Sequence, residues 1–589
     1  MKEFFKFMFA SMLGTFIILV ITFFLFFGII VSLATFAEKK TASIEANSVL
    51  HIKLDKPVYD RAPKNPFNLF MPAGFDFEKV PGLNEILDNI KKAESDPNVK
   101  GIFLDLSLIP SGFSTVREIR NALSDFKSSG KFIVAYGEIY TQMAYYLASV
   151  ADEIYLHPHG GIEFKGLAAE LFFIKGTLEK LDIDVQVIRH GKYKSAGELL
   201  MYDKMSPSNR EQLDALISDL WETMTTDIAR DRNLSTEHLN TVADKLDALE
   251  AEKALSYELV DGLYHKDQLL AALKEKLGIE EKAKIQTVSL AKYTQTPDPS
   301  KSKVYKDKIA VVYAIGNIID GKGDDLTIGS AKMSEAIRRA RENDKVKAIV
   351  LRVNSPGGSA TASEVIRREL ALAAETKPVV VSMGDVAASG GYWISAPAKM
   401  IFADPATITG SIGVFGAFPN MQQFFNNKLG ITFDHTLTNK YADFPNVTRP
   451  LTDYETVMIE RMIDKIYQDF LGLVSEGRGM GTEQVDAIGQ GRVWSGTDAL
   501  EIGLIDQFGG LQDAIAAAAE LAEITEYNLW SLPAQKDPFQ QLFDELTGNV
   551  SAQRLEKELG DFFTYYQHIK YLSEMKGVQA RLPFEIRIF

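Results

Sequence analysis

The chain repeats itself once, at a long period of about 247 residues. The stretch "DPNVKGIFLDLSLIPSGFSTVREIRNAL" near 96–123 matches "DKVKAIVLRVNSPGGSATASEVIRREL" near 344–370. "GKFIVAYGEIYTQMAYYLASVADEIYLHPHGGIEFKG", from Gly130, matches "TKPVVVSMGDVAASGGYWISAPAKMIFADPATITGSIG", from Thr376. "ALSYELVDGL", from Ala254, matches "ALEIGLIDQF", from Ala499. Two matched units of this size are duplicated domains and not a solenoid of short repeats. Each reads as strand, helix, strand, helix. "AIVLRV" and "PVVVSM" are short β-branched runs of the buried-strand type, while "TASEVIRRELALAAE" and "MSEAIRRARE" carry helical apolar spacing. Strands alternating with helices predict an α/β fold with largely parallel pairing. The halves are expected at 45–293 and 308–532. A polar Pro/Ser/Lys-rich linker at 294–307 joins them, and an amphipathic tail of unassigned role covers 533–589.

Ahead of the repeat, Phe7 to Ala37 contains no charged residue. About 20 apolar residues cross a bilayer, and a cleavable signal peptide has a shorter apolar run of roughly 7–15. A retained transmembrane anchor over 7–37 is expected, although Ser32 and Ala34 resemble the small residues of a cleavage site. Lys2 and Lys6 precede the span and Glu38, Lys39 and Lys40 follow it, so charge alone orients it weakly. A short cytoplasmic N-terminus, 1–6, gives an anchor with the bulk of the chain outside the cytoplasm. The net charge of −15 excludes a nucleic-acid partner that needs a basic face. With no cysteine, disulfides, thiolate zinc sites and cysteine nucleophiles are excluded.

The second half holds "GDVAASGGYWISAP". Ser389 follows a strand and opens a helix, flanked by alanines and glycines. Small neighbours admit a substrate carbonyl, and a helix N-terminus stabilises negative charge. The same serine serves equally as a helix N-cap. "NSPGG", Asn354 to Gly358, follows the strand "AIVLRV". Adjacent glycines there can aim backbone N–H groups at one point, as an oxyanion hole requires, or simply make a turn. A nucleophilic serine needs a base. The second half offers His435 in a strand-like run, and lysine replaces histidine in some serine hydrolases.

Together "GDVAASGGYWIS", "TGSIG" and "GKYKSAGE" (Gly191 to Glu198) resemble the signal peptide peptidase A (protease IV) family, over nearly the whole chain. The resemblance implies a crotonase/Clp-protease-type fold in each half and no cofactor. It implies Ser389 as nucleophile and Lys194 as general base. It also implies Ser411, in "TGSIG", as the partner that orients the lysine, and an oxyanion hole from Gly357, Gly358 and Gly390. The implied activity is a membrane-anchored serine endopeptidase that degrades released signal peptides and other short hydrophobic peptides. The implied assembly is a homotetramer on the outer, periplasmic side of the cytoplasmic membrane.

Aligning the halves gives separate support. Gln142 falls where Ser389 sits, and Pro110 and Ser111 fall opposite Gly357 and Gly358. Conversely, Lys194 falls opposite Ala442. Each half lacks what the other keeps, as one composite site per chain predicts. Lys194 acts as a base only when neutral, and burial lowers a lysine pKa from about 10.4 by up to ~3–5 units. Two other classes stay open at this level: a crotonase-like acyl-CoA enzyme and an inactive membrane scaffold. His157 and His159 in "HPHG" are read as a loop and not a metal site, because no third ligand accompanies them. Tyr145–Tyr146 and Tyr392–Trp393 are read as helix packing.

Overall fold

A computed structural model describes residues 2–36, 44–62, 81–298, 303–535 and 578–582. The first helix runs Lys2–Phe36, about 50 Å at 1.5 Å per residue. Its stretch Glu3–Leu25 has a mean hydropathy of 2.4 and is long and apolar enough to cross a membrane. The helix starts before the expected Phe7 because Lys2 and Lys6 are compatible with helical backbone. Ala37 and the flanking charges at 38–40 lie outside the described residues.

In the first half, six strands form one sheet whose neighbouring strands are all parallel. Their order is Gly262–Leu263, Glu153–Leu156, Phe132–Gly137, Val99–Asp105, Ser48–Ile52, Thr287–Ser289. The second half repeats this pattern. Its central strands Lys308–Ile315, Val346–Ser355 and Val379–Ala388 lie side by side and parallel. They are apolar on both faces because helices cover both, which is why their sequences read as continuous β-branched runs. Helix Ala360–Ala374 shows the matching stripe. It is capped by Ser359, whose hydroxyl accepts from the Ala362 amide at 3.2 Å, and it buries Ala362, Ile366, Leu370 and Ala373. Of the expected linker, residues 299–302 lie outside the described residues.

A further six-stranded sheet ties the halves together. Its order is Thr327–Gly329, Asn317–Ile319, Gly357–Ser359, Gln579–Arg581, Val414–Asn420, Asp184–His190. The last strand comes from the first half and pairs antiparallel with Val414–Asn420 from His190 opposite Val414 to Asp184 opposite Asn420. The fourth comes from the segment read as a tail. Residues 536–577 and 583–589 of that segment lie outside the described residues.

Charge also crosses between the halves. Arg352 is fully buried and donates to Asp60 at 2.6 Å and Glu118 at 2.5 Å, both from the first half. Arg117 of the first half donates to Asp404 of the second at 2.8 Å. Burial penalises these groups, so the pairing is what makes their burial tolerable.

Candidate active site

Strand Val379–Ala388 delivers the serine. It ends one residue before Ser389, and helix Gly390–Ser395 begins one residue after. The turn between them is sharp: Ser389 has φ 56° and ψ −112°, a region L-residues rarely occupy. It is held there by its amide, which donates to the Gly410 carbonyl at 2.8 Å, and by its carbonyl, which accepts from Trp393 at 2.8 Å. Ser389 stands at the N-cap position, yet its hydroxyl makes no capping bond. The hydroxyl faces Lys194 instead, with Nζ 2.8 Å from Oγ. The glycines that follow are required sterically. A Cβ on Gly390 would lie 2.6 Å from Ser363 Oγ, and one on Gly391 would lie 2.7 Å from the Ser355 carbonyl oxygen.

Lys194 arrives from the other half. The strand Asp184–His190 carries the chain into the second half's sheet, and the turn after it packs on residues 490–493. Tyr193 donates its amide to the Gln490 carbonyl at 2.9 Å, and Arg189 donates to the Lys194 carbonyl at 2.9 Å. Gly491 gives the lysine room, since a Cβ there would sit 2.5 Å from Lys194 Cβ. The amine itself lies 2.9 Å from Ser411 Oγ and 3.1 Å from the Ser411 carbonyl oxygen. Lys194, Ser389 and Ser411 are all fully buried. Burial therefore holds the Lys194 amine well below its ordinary pKa. Glu198, in the same motif, turns toward Arg189, Asn209 and the Ser206 amide.

Strand Gly357–Ser359 flanks the serine. Gly357 takes φ 96°, which only glycine adopts without strain. Its amide donates to Ser355 Oγ at 3.1 Å. This corrects the expectation that both glycines of the pair offer free amides, because the Gly357 amide is already spent on Ser355. The vacated positions of the first half have structural uses. Gln142 opens helix Gln142–Ala148, accepts from the amides of Lys165 and Gly166 at 3.0 Å each, and donates to the Gly166 carbonyl. Ser111 Oγ accepts from the Val58 amide. His435 is exposed, and His157 Nδ1 accepts from the His159 amide.

Two features escaped the sequence reading. Asp385, four residues before the serine, is half-buried against Thr115 of the first half, which donates from its amide at 2.9 Å and its hydroxyl at 2.6 Å. Burial raises the Asp385 pKa, and those two bonds oppose the rise. Arg352, inside a strand read as apolar, anchors the same interface. A charged residue within a buried run was the available signal.

A family model described as peptidase family S49 matches residues 125–280 and 371–525. The chain is 39% identical to Protease 4 of Salmonella typhi, over 80% of this chain and 77% of that one. It is 35% identical to Protease 4 of Haemophilus influenzae, over 84% and 82% respectively. It is also 35% identical to the chloroplastic serine protease SPPA of Arabidopsis thaliana, over 85% and 74%. With one matched segment in each half of the repeat, the chain belongs to peptidase family S49 and is a serine protease.

Proposed function

We propose that this protease works through a dyad of Ser389 and Lys194, assembled from opposite halves of one chain. The observation that carries the reading is the 2.8 Å approach of Lys194 Nζ to Ser389 Oγ in a fully buried setting. A lysine so enclosed, with hydroxyl and carbonyl neighbours, is neutral at working pH and accepts the serine proton. Ser389 Oγ then adds to a peptide carbonyl, and the amides of Gly358 and Gly390 stabilise the oxyanion. Lys194 returns the proton to the leaving amine and next activates the water that hydrolyses the acyl-enzyme. Ser411 keeps the amine aimed at Ser389.

The substrates are short hydrophobic peptides in extended form, among them released signal peptides. The N-terminal helix anchors the chain in the cytoplasmic membrane with both halves on the periplasmic side, where such peptides emerge, and the chain assembles as a homotetramer. The test is the pH dependence of kcat/KM of the full chain in detergent. Activity should rise with pH through one ionisation well below ~10.4. A profile flat from about pH 6 to 10 would remove lysine deprotonation from the mechanism.

A further inference from the structure

Helix Pro207–Arg232 of the first half lies on strand Val493–Ser495 of the second. It starts where Ser206 caps it and Pro207 takes the first helical position. Its buried face carries Leu213, Leu216 and Leu220, and with them two polar residues, Asn209 and Gln212, each 1% exposed. A polar side chain buried so completely is tolerated only when its hydrogen bonds are made.

Gln212 makes them to both halves at once. Its Nε2 donates to the Tyr193 carbonyl at 3.1 Å, to Ser195 Oγ at 3.1 Å and to Asn209 Oδ1 at 3.0 Å. Its Oε1 accepts from the Val493 amide at 3.2 Å. The partners fix the sense of the carboxamide, because the exchanged orientation would set its NH2 against the Val493 N–H and its oxygen against the Tyr193 carbonyl. Tyr193 and Ser195 are the chain neighbours of Lys194. Val493 stands opposite Gly410 in the sheet, and the Gly410 carbonyl accepts from the Ser389 amide at 2.8 Å. The carbonyl of Arg492, one residue earlier, accepts from the Ser411 amide at 2.7 Å. One side chain thus spans from the residues flanking the amine to the strand that holds the serine turn.

We infer that Gln212 is a positioning residue for the reaction: its carboxamide sets how closely Lys194, carried by one half, approaches Ser389, carried by the other. This rests on the dyad reading. Gln212 bonds neither reacting group and acts through the Tyr193 carbonyl and the Val493 amide. The task needs a donor and an acceptor on one neutral group, which a carboxamide provides and a thioether does not. With the link cut, the lysine loop draws back from the second half and water reaches the amine. Weaker desolvation favours the ammonium, so the base is freed only at higher pH.

The experiment measures kcat, KM and the pH profile of kcat/KM for the full chain in detergent, on a quenched fluorescent apolar peptide. Gln212→Met should lower kcat about 10–100-fold with KM within about twofold of the parent. The rise of kcat/KM should move to higher pH by about half a unit or more. Gln212→Asn keeps the amide but is one C–C bond shorter, about 1.5 Å, so it reaches one end only and should change both readouts in the same direction. Ser495→Ala is the matched control. It removes the 2.7 Å bond from Ser495 Oγ to Asp219, between the same helix and strand, and leaves the Tyr193 and Val493 bonds in place. Its kcat and profile should equal the parent's. Gln212 variants with the parent's kcat or an unmoved profile overturn the inference and leave the dyad standing. So does a loss confined to KM, or Ser495→Ala losing as much as Gln212→Met. If neither Gln212 variant folds by circular dichroism, the residue belongs to the fold and the inference is overturned. A parent profile flat from about pH 6 to 10 overturns the dyad reading and this inference with it.

Discussion

Tyr145 in the first half donates its hydroxyl proton to the Leu259 carbonyl at 2.9 Å, and Tyr392 in the second donates to the Leu504 carbonyl at 2.7 Å. Asp261 accepts from the Ile154 amide and pairs with Arg232, as Asp506 accepts from the Ile401 amide and pairs with Arg478. Both halves keep these contacts because both must fold. At the turn itself the halves part. Ser389 leaves its hydroxyl facing an amine, whereas Gln142 spends its whole amide group on the backbone of Lys165 and Gly166. The scaffold is duplicated and the turn is not: one half turns a serine hydroxyl toward an amine, and the other half supplies that amine.

The comparison breaks if either half works alone, so the largest expected effects come from its two ends. Ser389→Ala and Lys194→Ala should each lower kcat by about 10⁴-fold or more, because members of a dyad act as a unit. Lys192→Ala, two residues away, should be mild. Peptide turnover by the three purified variants checks this, and an essential Lys192 with a dispensable Lys194 would shift the whole register.

Next in size is the joint between the halves. Arg352→Met leaves Asp60 and Glu118 buried without their cation, which should cost about 3–5 kcal/mol. Urea unfolding of the detergent-solubilised chain measures it, and an unchanged midpoint would mean that this buried pairing is not what joins the halves.

Ser411→Ala removes one of the partners of the amine while leaving the amine in place. A loss of about 10–100-fold in kcat is expected, from misplacement of the base. Because the lowered pKa of Lys194 comes from burial, the variant should keep a profile in which activity is present above that pKa and lost as pH falls through it. A variant whose activity no longer depends on pH would show that Ser411, and not burial, controls the ionisation.

Smallest on catalysis is Gln142→Ala. Turnover should be unchanged, while two backbone amides lose an acceptor and stability falls by about 0.5–1.5 kcal/mol. A hundredfold loss of kcat in a folded variant would reveal chemistry in the first half.

Much of this is legible in the sequence. The helix over Ala360–Ala374 and the strand through Val379–Val381 announce themselves by apolar spacing and β-branching, which are local properties. Ser389 was equally consistent with an N-cap, because the local sequence does not say where a hydroxyl points. The φ of 56° and the absence of a capping bond decide that point. The glycine pair was readable as a pair, but the loss of the Gly357 amide to Ser355 depends on a contact the motif does not spell out.

The sequence by itself determined the duplicated α/β architecture, the apolar N-terminal helix and the complementary losses at Gln142 and Ala442. All of these are carried by order and periodicity along the chain. Only the tertiary structure decided that Lys194 meets Ser389 across 195 positions of sequence, that the amine is enclosed, and that Gln579–Arg581 pairs with Gly357–Ser359. The reason is physical. Desolvation, and so the proton affinity of a lysine, is a property of what packs around the group from distant parts of the chain, and no local pattern records it.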